Sequence, residues 1–86
     1  MPRLSTFYGI VIAMYYRDHA APHFDARYAD CSASVVIESL EVLAGSLPDR
    51  ALRMVRDWAN EHREELSANW ALAQDDAPLH EIDPLP

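Results

Sequence analysis

Lysine is absent from this sequence. Its seven basic residues are all arginines, and fourteen acidic residues give a formal net charge of −7 at pH 7. Proteins that bind nucleic acids normally draw affinity from a basic surface that neutralises phosphates. The acidity therefore argues against nucleic acid as a partner and favours a basic protein.

Cysteine is almost absent, and long apolar runs are missing. A single cysteine, Cys31, excludes an intramolecular disulfide, which suits a reducing cytosol. The longest apolar run, residues 7–16, is too short to span a bilayer, and it lacks the small-residue cleavage site of a signal peptide. We therefore expect a cytoplasmic protein with no membrane contact.

Several catalytic signatures are also missing. The sequence has no glycine-rich phosphate loop, no paired-cysteine motif and no serine nucleophile elbow, which argues against nucleotide enzymes and α/β-hydrolases. We predict no cofactor. What the chain does have is a hydrophobic content of 50%, enough for one small folded domain of 86 residues.

The first half of the chain predicts short strands. Residues 7–16 are apolar and β-branched, with Gly9 marking a bulge or a close backbone approach, and residues 1–6 precede them as a polar lead-in. A second strand is predicted over residues 23–28, with His23, Asp25 and Arg27 on one face. Further strands are predicted over residues 34–39 and at residues 42–43.

The second half predicts helix. No proline or glycine interrupts the chain after Pro48 until residue 74, and Pro48 suits a first helical turn. One face of an ideal wheel is mostly apolar and comprises Ala51, Leu52, Val55, Trp58, Ala59, His62, Leu66, Asn69, Trp70 and Ala73. The pattern fits one long helix or two in line with a bend near His62.

These elements predict an α+β fold over residues 1–86. Three to four mostly antiparallel strands (7–45) pack on one long or kinked C-terminal helix (47–75), and a proline-rich tail (76–86) follows. Apolar residues at every third position of the tail suit an extended segment laid along a surface or a docking peptide. The predicted partner-binding residues are Tyr15, Tyr16, Phe24, Leu79, Ile82 and Leu85.

Ionisable side chains cluster around a turn at residues 17–22. Pro22 forbids a helix that would place His19 and His23 on one face. With Asp25, the two histidines have the residue types of a two-His, one-carboxylate metal site. The alternative is structural: the histidines bond to backbone carbonyls, and Asp25 pairs with Arg17 or Arg27. We predict no metal, and these three residues are the candidates if one binds.

The same turn allows a metal-independent ribonuclease. Histidine can act as acid or base near neutral pH, and an arginine can stabilise the charge that develops on phosphorus. The catalytic residues would be Arg17, His19 and His23. Whether the protein is an enzyme stays open.

Several blocks of sequence resemble the bacterial family called domain of unknown function 4160. They are Phe7-Tyr8-Gly9-Ile10-Val11-Ile12, Met14-Tyr15-Tyr16, Asp18-His19-Ala20-Ala21-Pro22-His23-Phe24, Leu47-Pro48, Trp58-Ala59, His62-Arg63-Glu64-Glu65-Leu66, Asn69-Trp70 and Pro78-Leu79. The chain departs at Ala21, where the family usually has proline, and at Asp25, where it commonly has histidine. The resemblance implies a toxin component of a toxin–antitoxin pair, encoded beside another small protein.

We therefore expect a protein-interaction module that is the toxin of such a pair, neutralised by a small cognate antitoxin-like protein. Unpaired sheet edges in so small a sheet would also permit a homodimer. The alternatives are the ribonuclease and an adaptor without toxicity.

Overall fold

A computed structural model describes residues 2–86 as a five-stranded sheet with two helices. The elements are β1 (Arg3–Phe7), β2 (Ile10–Ala13), β3 (His23–Tyr28), β4 (Cys31–Val36), β5 (Val42–Gly45), α1 (Asp49–Glu61) and α2 (Arg63–Gln74). The strands form one antiparallel sheet in the order β1-β2-β3-β4-β5, so each pairs with the next along the chain. The α+β class is confirmed, whereas the prediction of three to four strands is wrong. Of the two helical arrangements that the sequence allows, the structure has two helices that meet at His62 and not one long helix. Within residues 2–86, no helix has the length and apolarity needed to cross a bilayer.

The extra strand comes from a tight hairpin at the start of the chain. Tyr8 and Gly9 have φ of 49° and 80°, and they connect the paired residues Phe7 and Ile10. Positive φ at both central residues is the geometry of the two-residue turns that suit antiparallel hairpins. Gly9 is thus a turn residue rather than a bulge, and the segment predicted as a polar lead-in is β1.

The remaining strands follow the apolar segments of the sequence. β3 has the predicted bounds, while β4 begins three residues earlier than predicted. β5 ends at Gly45, whose φ is 77°. A side chain there would collide with the backbone carbonyl of Ser32, so only glycine lets β5 lie this close to β4.

The helical region divides at His62. This residue has φ −122° and ψ 24°, outside the helical range, and it separates α1 from α2. Every residue of the predicted apolar face is buried or half-buried, and most of them are alanine, valine, leucine or tryptophan. The helices therefore use the predicted face, although they are two elements.

Trp58, on α1, lies in the core between the helices' apolar face and one face of the sheet, where it packs on two strands. Its side chain is fully buried, and its ring centroid lies 5.4 Å from that of Phe7 and 6.0 Å from that of Phe24. The inner-facing residues Ile10 and Ile12 are also fully buried. The core thus fills one face of the sheet, and the opposite face carries the other residues of each strand.

The tail, residues 77–86, has no helix or strand and runs from the end of α2 to β1. The amide of Ile82 donates a hydrogen bond to the carbonyl of Leu4 at 2.8 Å, and Trp58 Nε1 donates to the carbonyl of Asp83 at 2.7 Å. The Asn69 amide group bonds with both the N–H and the carbonyl of His80. Ile82 is buried, so the tail completes the fold of its own chain.

Candidate functional site

The connection between β2 and β3 holds His23 in a fixed position. The ring is buried; its Nδ1 lies 2.8 Å from the carbonyl of Ala21, and its Nε2 lies 3.1 Å from Oδ2 of Asp18. The Trp70 ring packs against it at 5.3 Å. Both polar partners are acceptors of hydrogen bonds, so neither ring nitrogen faces open solvent or a donor. This arrangement suits a side chain that stabilises the turn.

Arg17 and His19 have separate surroundings from His23. Arg17 forms an ion pair with Asp76, and its side chain is 72% exposed. Its backbone amide donates to the carbonyl of Ala73, which ties this connection to the end of α2. His19 is exposed. Two of the three predicted catalytic residues thus lie on the connection and His23 is the first residue of β3, but Arg17 and His23 each have other partners.

The candidate metal ligands do not form a cluster. Within residues 2–86, no three histidine, cysteine or carboxylate side chains are grouped as a metal site requires. Asp25 accepts a hydrogen bond from Ser34 Oγ at 2.7 Å. Its partner is therefore a serine on β4, whereas the sequence suggested Arg17 or Arg27.

The predicted partner-binding residues divide into two groups. Phe24 and Ile82 lie in the core, and Leu79 and Leu85 are half-buried against it. Tyr15 and Tyr16 are 47% and 40% exposed, so both are accessible to another molecule.

Two exposed apolar side chains were missed. Tyr8 is 60% exposed and Leu43 is 48% exposed. Tyr8 occupies the β1–β2 turn, and the sequence predicts no turn at this position. The sequence predicts a strand at Leu43, but the exposure of its side chain depends on which strand lies at the edge of the sheet.

A small cavity opens on the face of the sheet away from the helices. Its volume is about 70 Å³, and its polar lining comes from Asp25, Arg27, Ser32 and Tyr15. Oδ2 of Asp25 is buried and has no hydrogen-bond partner within residues 2–86. The alternation predicted for β3 puts Asp25 and Arg27 on one face, and both line the cavity. The pairing of β3 with β2 and β4, which the sequence does not predict, adds the other walls of the cavity.

The two edges of the sheet differ in what covers them. The tail bonds to β1 at Leu4, while β5 forms the opposite edge, with Leu43, Ala44 and Gly45 exposed. In antiparallel pairing, Ser34 aligns with Ala44 and Val35 with Val42, so Leu43 is the extra residue of a bulge. An exposed edge with an outward apolar side chain is a surface on which a partner strand can pair.

Comparison with known protein families identifies one match. The profile of the domain of unknown function DUF4160 matches residues 9–71, most of the chain. The chain belongs to this family. The match extends from the β1–β2 turn of this DUF4160 domain into α2. No curated protein and no solved structure gave a significant match.

Proposed function

We propose that this DUF4160 domain is a protein-interaction module that pairs with a small partner protein through the edge strand β5. The observation that supports it is the exposure of that edge. Residues 42–45 carry no charged side chain and no proline, and Leu43 is 48% exposed. Charged residues and prolines are the devices that usually prevent pairing at an edge.

The bulge at Leu43 shapes the kind of partner that fits. A bulge twists its strand and interrupts the regular ladder, which limits the stacking of many copies edge to edge. A short strand of the partner can still bond to the free backbone groups of β5. The partner would then also provide an apolar pocket for the side chain of Leu43. This favours a specific complex with one small protein over a growing sheet.

The net charge indicates the chemistry of the partner. A charge of −7 on 86 residues attracts a basic protein and repels an acidic one. The role implied by the family resemblance completes the proposal: the chain is the toxin of a bacterial pair, and the partner is the small cognate protein that neutralises it. An adaptor would make the same contact without affecting growth.

The ribonuclease alternative has less support. A general base needs a ring nitrogen free to take a proton from its substrate. In His23 both nitrogens face acceptors, and the ring is buried against Trp70. Arg17 is paired with Asp76. The acidic chain would also repel RNA.

One experiment tests the proposal and separates the alternatives. The chain is expressed alone and together with the protein encoded beside it, and growth, co-purification and RNA integrity are measured. Growth arrest that a co-purifying neighbour relieves supports the toxin pair. RNA cleavage that a His23→Ala variant abolishes supports the enzyme.

The contribution of β5 is tested in the same assay. Leu43→Asp places a charge on the exposed edge and should abolish co-purification while the protein stays folded. Ala71→Asp is the matched control, because it introduces the same charge at an exposed position of α2. If both variants retain the partner, β5 is not the binding edge.

A further inference from the structure

We propose that the cavity around Asp25 binds the guanidinium group of an arginine side chain from a partner protein. Nothing in the fold requires this cavity, because it lies on the face of the sheet away from Trp58 and the core. The identity of the ligand as a protein side chain rests on the function proposed above. The cation-binding chemistry of the cavity stands on the geometry alone.

The sheet register creates the cavity. Asp25 lies opposite Ala13 on β2 and opposite Ser34 on β4, so small side chains flank it on both sides. The carboxylate therefore sits in a depression rather than on a ridge. Val11 forms an apolar wall beside it, and Tyr15 adds its ring.

The carboxylate has unused capacity to accept hydrogen bonds. Oδ1 accepts one from Ser34 Oγ, while Oδ2 is buried and unpartnered within residues 2–86. A buried charged oxygen without a donor is costly, and most such groups in folded proteins have a partner. The cavity thus presents an anionic acceptor to whatever donor enters it.

Size and shape favour a guanidinium group. The volume of about 70 Å³ is enough for one small planar group but too small for a larger ligand. Tyr15 lines the cavity and is 47% exposed, so its ring is available for stacking. A guanidinium combines donors that match a carboxylate with a flat face that stacks on an aromatic ring, whereas a lysine ammonium lacks the flat face.

The charges around the cavity also favour a cation as the ligand, although one nearby positive charge would repel it. Arg27 lines the same cavity and carries the wrong sign for an arginine ligand. Arg27 is exposed, so water screens its charge, while Oδ2 of Asp25 is buried and is screened much less. His23, two residues before Asp25, does not line the cavity, because its ring packs on Trp70 and its nitrogens face Asp18 and Ala21. The net charge of −7 adds attraction at longer range.

The test is an NMR titration of the isotope-labelled chain with three capped tripeptides. The probes are Gly-Arg-Gly, Gly-Lys-Gly and the same peptide with citrulline, which keeps the shape of arginine but has no charge. We expect saturable shifts at the amides of Ala13, Tyr15, Asp25 and Arg27 with the arginine peptide, and at least about tenfold weaker binding of the citrulline peptide. The lysine peptide should bind more weakly than the arginine peptide.

Two variants and a control complete the test. Asp25→Asn keeps the shape and the bond to Ser34, and it should weaken binding by about tenfold. Asp30→Asn removes an exposed carboxylate from the β3–β4 turn and should leave binding unchanged. Arg27→Gln removes the opposing charge and should tighten binding about twofold to threefold.

Several outcomes would overturn the inference. They are equal binding of the arginine and citrulline peptides, unchanged affinity in folded Asp25→Asn, and no saturable shift at all, which would mean that the cavity holds only water. Equal binding of the lysine peptide would overturn the choice of guanidinium. The titration uses the chain without its partner. If the cavity fails while Leu43→Asp still abolishes co-purification, only this inference falls; a working cavity without any co-purifying neighbour contradicts the proposed function instead.

Discussion

An edge strand has backbone N–H and C=O groups that no neighbouring strand pairs with, and the two edges of this sheet differ in what covers those groups. At β1, residues from the tail supply a hydrogen bond to Leu4 and bury Ile82 beside it. At β5, the strand is short, bulged and largely exposed. A protein that covers one edge with its own chain and leaves the other exposed has one direction in which its sheet can be extended.

The two edges also differ in how they are attached to the core. The covered edge is fixed to the core through Trp58, whereas the exposed edge depends on its pairing with β4. Substitutions at the covered edge should therefore affect stability. At the exposed edge, substitution of the exposed Leu43 side chain should affect binding, and only the close backbone contact at Gly45 should affect stability. Substitutions at Trp58, Ile82, Gly45 and Leu43 test this difference.

The largest effect is expected at Trp58. Trp58→Ala removes a fully buried ring that packs on Phe7 and Phe24 and also bonds to the tail at Asp83. It should lower the free energy of unfolding by about 3–5 kcal/mol, much of the stability of a domain this small. Chemical denaturation measures it. Trp70→Ala, at a half-buried position, should cost less, and equal losses would contradict the central place of Trp58.

Ile82 tests whether the tail is held against β1. Ile82→Ala should lower the free energy of unfolding by about 2–4 kcal/mol, because this buried side chain fixes the tail to β1. Hydrogen exchange should show faster exchange at the amides of the tail. Glu81→Ala, at the exposed neighbouring position, is the control and should change little. A loss as small as that of the control would mean that the tail is not held at this edge.

Gly45 tests how closely β5 is attached. Gly45 and Gly9 both have a positive φ, 77° and 80°, which an alanine adopts only with strain. A Cβ atom at residue 45 would also collide with backbone, whereas one at residue 9 would not. Gly9→Ala should therefore cost about 1–2 kcal/mol for the left-handed conformation alone. Gly45→Ala should cost about 1–3 kcal/mol more, the range for overpacking. Equal losses in thermal denaturation would show that β5 moves away without cost.

The smallest effect on stability is expected at Leu43. Leu43→Ser should change the free energy of unfolding by less than about 0.5 kcal/mol, as is usual for exposed positions. It should nevertheless weaken retention of the partner in the co-purification assay. A large loss of stability would show that Leu43 belongs to the core instead of to a binding edge.

Much of the fold could be predicted from the sequence because the strong periodic signals are local. The apolar face of the helices was predicted residue by residue, and β3 was predicted with its bounds. β1 was missed because Leu4 is the extra residue of a bulge, so Leu4 and Ser5 are both buried and the alternation that marks a strand is lost. The Tyr8–Gly9 turn also lacks the Asn-Gly or Asp-Gly pair that usually indicates such a hairpin.

Less of the candidate site could be predicted. The sequence identified the connection around His23 and the alternation that places Asp25 and Arg27 on one face. It could not identify Ala13 and Ser34 as the neighbours of Asp25, because strand pairing joins residues that are distant in sequence. The location of the tail could not be predicted either. Its apolar spacing fits both a peptide that docks on a partner and a segment laid along a surface of its own chain, which here is β1.

The contact between tail and first strand has a consequence for the order of folding. The hydroxyl of Tyr8 bonds to the carbonyl of Pro86 across a separation of 78 residues, whereas the sheet consists of hairpins between neighbouring strands. Contacts between distant residues require the closure of long loops, and they form after local ones. We expect the hairpins to assemble first and the tail to dock last. An early intermediate would then have both edges bare, and it would be the species most prone to aggregate.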